Sequence, residues 1–412
     1  MKILNIGSCN IAYVYSLNHI VTGGETEKSK RLDIFPGGKG LNQSVAAARA
    51  GAKVYHAAIV GSDGDFLLKT LKENGVDISL TEKVKDKNGH AVIQVNSEGE
   101  NAIIVYPGTN HGITKEYIDK ILLNFNAGDL LVLQNEVNEL EYIVHKAYKQ
   151  KLKVILNPSP ICENLYNIKL SEIAYLIMNE NEAKKLLKGN SIADCLQKAK
   201  KELPDTAIVI TLGKKGAVYI DNKKQVYQNA FAVKTIDTTA AGDTFTGYFV
   251  AGLFCRKPIK EILKQASAAA AIAVSKSGAS SSIPAMEEVL SLMPQMEECK
   301  NNYDIKSAEQ LKVITDFINE NLKQASLKQL AQKLNYSYNS AGVLVKRITG
   351  KSFTEYLQTK RLEKALFLLK ETSLPVLEIS NSVGYENNSF FCRKFKEKYN
   401  ITPKQYRLRH KA

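Results

Sequence analysis

The sequence predicts an α/β domain with a mainly parallel sheet, followed by a smaller all-α domain. Three observations carry that reading. Short apolar runs alternate with helical patterns from the N-terminus to about residue 290. The character changes after Pro284: a short helix over 285–292 ends at Pro294, and a polar, charged stretch follows. From Ser307 onward the periodicity is helical throughout. The expected organisation is an α/β domain over residues 1–293, a linker over 294–306 and a helical domain over 307–412.

In chain order, strand-like runs fall at 53–59, 91–95, 102–106, 130–134, 153–157, 175–178, 207–211 and 217–220. Helical patterns fall between many of them, at 40–50, 66–74, 140–149 and 180–187. The polar turn Asn96-Ser97-Glu98-Gly99-Glu100 between two β-rich runs reads as a hairpin.

The composition, 24% charged and 44% hydrophobic over 412 residues, provides enough apolar material for two or three domains. No run approaches the ~20 apolar residues of a membrane span. The N-terminus enters a strand-like segment at once, with no apolar signal core, so a cytoplasmic location is expected. Six cysteines are scattered without a CxxC pair, a pattern of reduced thiols rather than a zinc or disulfide framework. The net charge of +14 is uneven. Residues 301–412 hold 20 Lys and Arg against 10 Asp and Glu, while residues 1–300 hold 36 against 32. A basic terminal domain points to a polyanion, nucleic acid being the commonest.

Two motifs carry chemistry in the first domain. Pro36-Gly37-Gly38-Lys39-Gly40-Leu41-Asn42-Gln43 leads into a helix. Its glycines allow close backbone approach to a ligand, the helix start offers free N–H groups, and Lys39 and Asn42 can bond sugar hydroxyls. Taken alone, it is equally a structural turn. Asp237-Thr238-Thr239-Ala240-Ala241-Gly242-Asp243-Thr244-Phe245 opens a second helix. Its small residues leave N–H groups facing open space, an anion hole suited to a transferring phosphoryl group. Asp243 beside it is placed to take a proton from an attacking hydroxyl. Taken alone, it reads more often as a helix cap.

Together, in order, spacing and flanks, these motifs resemble the ribokinase-like (PfkB) carbohydrate kinases over residues 1 to about 293. The resemblance implies a ribokinase-like sandwich with a small β lid, and transfer of phosphate from ATP to a sugar hydroxyl, with D-ribose the leading candidate. It implies Mg2+ and K+ as further cofactors. By the same resemblance, Asn10, Gly38, Lys39, Gly40, Leu41, Asn42, Glu136 and Asp243 hold the sugar, and Ala240, Ala241 and Gly242 shape the anion hole. Asn179, Thr211, Leu212, Gly213, Lys214, Lys215, Gly216 and Ser267 serve the nucleotide with Gly242 and Asp243. Glu182 serves magnesium indirectly. Asp237, Thr239, Ala273, Lys276, Gly278 and Ser282 occupy a potassium site, mostly through backbone oxygens. Pairing of two copies through lid strands, around residues 11–35 and 91–106, is a further expectation.

One position departs from the pattern. The family's opening Asn-x-Asp, whose aspartate bonds two sugar hydroxyls, is Asn10-Ile11-Ala12 in this chain. Losing a charge-assisted hydrogen bond costs about 1.5–3 kcal/mol. Ala12 thus raises a second reading, a domain that senses sugar without turnover. The intact Asp243 favours retained chemistry.

In the last quarter, helix-turn-helix patterns begin at Ser326 and at Val376, joined by a helix over 354–371. The Val383-Gly384-Tyr385 turn, the spacing from Phe391 to Phe395-Lys396 and the ending Thr402-Pro403-Lys404-Gln405-Tyr406-Arg407 resemble the AraC/XylS-type DNA-binding domain over about 307–409. Double-stranded DNA is the implied partner, contacted by Lys346, Arg347, Ser389, Arg393, Lys394 and Lys396, in a protein that regulates transcription. An 18-residue connecting helix spans roughly 27 Å, enough to hold two recognition helices about one DNA turn, ~34 Å, apart. The first of them carries Gly342 and Val343 where polar readers are expected. The second is therefore expected to supply most sequence discrimination.

Overall fold

A computed structural model describes residues 1–299 and 305–410, with the side chains of 305–309, 312 and 410 left aside. The chain divides into two compact units, Met1–Asn302 and Tyr303–Ala412.

The first unit is built on an eight-stranded sheet. In spatial order its strands are Gln225–Gln228, Ala217–Ile220, Ala207–Thr211, Tyr175–Asn179, Lys153–Asn157, Leu130–Gln134, Ile3–Ile6 and Val54–Ala57. The last six run parallel and the first two form an antiparallel extension. Strands such as Leu130–Gln134 are buried along their whole length, as expected of a parallel sheet covered on both faces. A separate four-stranded sheet pairs Arg31–Gly37, Asn10–Ser16, His90–Val95 and Asn101–Tyr106 in that order. This is the lid, and it includes the expected hairpin.

The apolar run at 53–59 does not form one strand. Val54–Ala57 joins the main sheet, while Ile59–Val60 leaves it to pair with Glu82–Lys83. The expected linker also begins too early. Met293 and Met296 pack against the α/β core, the Ala232 N–H donates to the Glu297 carbonyl (2.8 Å) and the Cys299 N–H to the Ala230 carbonyl (2.7 Å). Residues 294–299 thus belong to the α/β unit. Residues 300–304 of the expected linker lie outside the described residues, and 305–306 already open the helix Ile305–Glu320.

Two helices bring the chemical motifs together. Lys39–Arg49 and Ala241–Phe254 touch along their backbones: a Cβ at Gly247 would lie 2.4 Å from the Ala46 Cβ and 2.8 Å from the Gln43 carbonyl oxygen. Only glycine permits that approach, and it converges the two helix starts on one point above the sheet.

The second unit is helical and has two small cores. Ile314, Phe317, Ile318, Leu330 and Val345 pack with Phe353 and Leu357. Ile379, Val383, Tyr385, Phe391 and Phe395 pack with Leu362, Ala365 and Leu369. The helix Phe353–Glu371 donates to both. At its middle, Arg361 ties the halves. Its guanidinium donates to the Leu322 carbonyl (Nε, 2.8 Å) and the Lys323 carbonyl (Nη2, 3.0 Å), and lies 5.7 Å from the centre of the Tyr385 ring.

Candidate active site

The parallel strands end on a cavity of about 270 Å³, lined among others by Lys39, Asn157, Asn179, Glu182, Thr211, Ala240, Gly242 and Asp243. Ligands of open α/β sheets bind at this edge, where strand ends leave loops and helix starts free to point inward.

The expected anion hole is the start of the helix Ala241–Phe254. Ala240 caps it in the left-handed conformation (φ 60°), and no side chain closes the first turn. A Cβ at Gly242 would meet no protein atom within 4 Å, so the space before these N–H groups is open. Asp243 is buried and faces the other helix: its Oδ2 accepts from Asn42 Nδ2 and its Oδ1 from Gln43 Nε2, both at 3.0 Å. The cap expected as an alternative role is not what its carboxylate does. Asn42 Oδ1 is buried without a partner, an acceptor available to a ligand hydroxyl next to Asp243.

The residues expected on the sugar side centre on Lys39 and Glu136. The Glu136 carboxylate accepts from the Lys39 N–H (3.0 Å) and from Ser8 Oγ. Burial pushes the Glu136 carboxyl up, against the opposing pull of Lys39. Burial pulls the Lys39 ammonium down, but Asp243, Glu136 and Glu182 outweigh it and hold its pKa above the ordinary value. Lys39 therefore stays a cation at the meeting point of three carboxylates. Asn10 Oδ1 accepts from Asn110 Nδ2 (2.6 Å). Gly38 (φ 95°) and Gly40 serve packing first: a Cβ at Gly40 would lie 2.4 Å from the Ser8 nitrogen. Leu41 does not reach the ligand space. Its side chain is in the core and its N–H donates to the Ser8 carbonyl (2.9 Å), because helical periodicity turns it inward.

On the nucleotide side, Asn179 and Glu182 form a capping box, each side chain accepting from the other's N–H at 2.9 Å, while both also line the cavity. The turn Gly213–Lys215 follows Leu212, which is buried, and ends at Gly216 (φ 110°). Lys214 and Lys215 lie on this turn, with the Lys215 ammonium 3.8 Å from Glu180. Ser267 lies buried in the helix Ile259–Val274, outside the cavity lining.

Of the residues expected at a potassium site, Asp237 joins two, its carboxylate accepting from the Thr239 N–H (2.8 Å) and the Gly278 N–H (3.0 Å). The Lys276 ammonium is directed to Glu288 (2.8 Å) and its N–H to the Ala273 carbonyl. Ser282 is buried, its Oγ donating to the Ala279 carbonyl (2.9 Å). Glu182, expected to serve magnesium indirectly, lies on the cavity wall with Asp243.

Sequence reasoning passed over Gln43 and Asn157. Gln43 sits inside the glycine motif and bonds Asp243, Asn157 (3.2 Å) and, through its Oε1, Gln134 (2.8 Å). Asn157 ends a parallel strand, and the strand-end rule would have found it. Beneath them a buried polar chain continues from Gln134 to Asn5 (3.1 Å), Ser44 (2.8 Å) and His56 (2.8 Å).

Residues 1–286 match the pfkB family of carbohydrate kinases. The chain belongs to that family. It is 37% identical over 298 residues to ribokinase from Haemophilus influenzae, covering 70% of this chain and 97% of that protein. It is 32% identical to deoxyribokinase from Salmonella typhimurium, with 70% and 97% covered. The ribokinase structure from Thermotoga maritima superposes with a TM-score of 0.64 at 33% identity, over 71% of this chain and 99% of that one. That from Arabidopsis thaliana, complexed with ribose and ATP, gives 0.63 at 27%, over 71% and 98%. Residues 330–409 match a helix-turn-helix domain, of AraC/XylS type. This chain of the pfkB family thus carries a DNA-binding domain at its C-terminal end.

In that domain, Lys346 and Arg347 are exposed on the helix Tyr338–Thr349, and Ser389, Arg393 and Lys396 on Asn388–Tyr399. Lys394 is half-buried and paired with Glu397 (2.7 Å). Among the described residues, no helix is long and apolar enough to cross a membrane.

Proposed function

We propose that this protein phosphorylates a pentose hydroxyl with ATP, D-ribose being the first substrate to try, and that it regulates transcription through its DNA-binding unit. The observation that carries the catalytic part is Asp243, buried beside an uncapped helix start that opens on free space. Asp243 takes the proton of the attacking hydroxyl, and the N–H groups of Gly242 and Asp243 meet the charge that develops on the phosphoryl oxygens. Bound ATP supplies the phosphoryl group. Asn42 and Gln43 hold the carboxylate, and Lys39 and Glu136 orient the sugar. Asn179, Glu182 and Thr211 line the nucleotide side, Glu182 serving magnesium, while the Asp237 loops would take potassium.

Ala12 bears on the substrate. On the lid it stands between Phe35 and Ala91 of the neighbouring strands. An apolar patch replaces the carboxylate that two sugar hydroxyls would meet, so a pentose lacking one of those hydroxyls should compete well with ribose. The same residue motivates the second reading, a sugar sensor with little turnover. Two copies would pair through the lid, where Ile34 is 53% exposed and Ile104 66%.

The test is ATP-dependent phosphorylation of ribose, 2-deoxyribose and other pentoses with magnesium and potassium present. Wild type should turn over at least one pentose, and Asp243→Ala should lower kcat by about 10²–10⁴-fold. No turnover, with sugar-dependent thermal stabilisation, would establish the sensor instead.

A further inference from the structure

The two reading helices begin alike. Ser337 Oγ accepts from the Ser340 N–H, and Asn387 Oδ1 from the Phe390 N–H. Aligning these caps places the buried Ala341 and Val345 against the buried Phe391 and Phe395. The outward positions then correspond as Asn339 with Ser389, Val343 with Arg393, and Lys346 with Lys396.

Val343 is 69% exposed and has no place in the core of its half. Before it stands Gly342, which weakens a helix interior relative to alanine. A Cβ there would meet only Leu327 Cδ2, at 3.4 Å, so packing alone hardly requires glycine. A branched apolar side chain beside a helical glycine, with exposed Lys346 and Arg347 one turn on, is ill placed for water. It is well placed for the floor of a major groove. The basic pair can reach phosphates, the glycine lets the backbone approach, and the valine methyl groups can meet a thymine C5-methyl. Asn339, one turn earlier on the same face, offers the amide that pairs with adenine N6 and N7. At the register of Val343, the second helix carries Arg393, held over the Phe390 ring (5.2 Å) and suited to guanine O6 and N7.

We infer that the first reading helix recognises an A·T half-site in double-stranded DNA through contact of Val343 with a thymine C5-methyl, while the second reads a guanine-containing half-site through Arg393. This rests on the DNA-binding reading of the C-terminal unit. It assigns base discrimination also to the helix that lacks polar readers, where the sequence pattern alone gives most of it to the second helix.

The test uses the full chain. It first selects duplexes from a random-sequence library. The enriched duplex is then rebuilt with deoxyuridine in place of thymine, one position at a time, which deletes only the methyl group. Binding should fall about three- to fivefold at one or two positions of one half-site. Val343→Ala should bind the parent duplex more weakly, ignore those same replacements and unfold at the wild-type temperature. Indifference of the wild type to deoxyuridine, or an undiminished deoxyuridine effect in Val343→Ala, overturns the inference. Failure to enrich any duplex, with no salt-dependent binding to DNA, instead overturns the DNA-binding reading beneath it.

Discussion

Most helix starts in the DNA-reading unit are closed by the cap residue's own side chain, whereas that of Ala241–Phe254, which opens on the cavity, is not. Ser326 and Ser352 form capping boxes with Gln329 and Glu355, and Ser337 and Asn387 each accept an N–H of the first turn. Lys39–Arg49 and Ala241–Phe254 instead start from Gly38 and Ala240, both at positive φ, with no side-chain cap. Missing caps occur elsewhere, at Gly64 and Pro258 in the first unit and at Pro375 in the second. The first-turn N–H groups of Lys39, Gly40 and Leu41 are taken by Glu136 and Ser8, so of the two it is Ala241–Phe254 whose start stays open on the cavity. A cap satisfies an N–H and stabilises the helix; an open start leaves that N–H for a ligand. The start of Glu180–Leu186 combines the two, closed by its capping box while Asn179 and Glu182 line the cavity.

The largest test of this contrast concerns the buried polar chain beneath the site helices. Burial holds the His56 imidazole down from 6.5 to about 4. Between those values the unfolded chain binds the proton and the folded chain does not. The stabilisation is complete above about pH 6.5 and is lost as pH falls toward 4, reaching about 3 kcal/mol. Denaturant titrations at pH 7 and pH 4 should show a smaller acid loss in His56→Gln than in wild type; equal losses would remove His56 from the account.

Next is Gly242→Ala. Because a Cβ there meets only open space, the melting temperature should hold while kcat/KM falls roughly 100-fold, the scale of one disturbed oxyanion donor. A variant with full activity would mean that no ligand charge sits before this helix. Smallest is Ser352→Ala, which should cost the C-terminal unit about 1 kcal/mol and leave sugar phosphorylation unchanged. A loss of turnover there would show the two units to be coupled.

Much of the fold was legible because its signals are local. The strands Leu130–Gln134 and Lys153–Asn157 and the helix Leu140–Lys149 fall at their expected bounds, since apolar runs and periodicity mark them directly. The helix Ile259–Val274 was not marked out in the same way: it is alanine-rich and buried along most of its length, so no polar face reveals its period. The split of 53–59 depends on Glu82–Lys83, a partner that spacing does not indicate. In the site, the glycine motif and Asp243 stood out by residue type. The bond from Gln43 to Asp243 joins positions 200 residues apart, and only the close contact at Gly247 brings them together.

Arg361 has a consequence for how DNA is found. One guanidinium holds the carbonyls of Leu322 and Lys323 on one side and stacks on Tyr385 on the other, so the two reading heads travel as a single piece. Once one head is seated, the other meets its half-site at an effective concentration fixed by geometry rather than by the number of molecules in the cell. Two individually weak recognitions then combine nearly as a product. Inserting a single base pair between the halves, about a tenth of a helical turn, swings the second half-site around the duplex and removes that advantage while leaving every base contact available in principle.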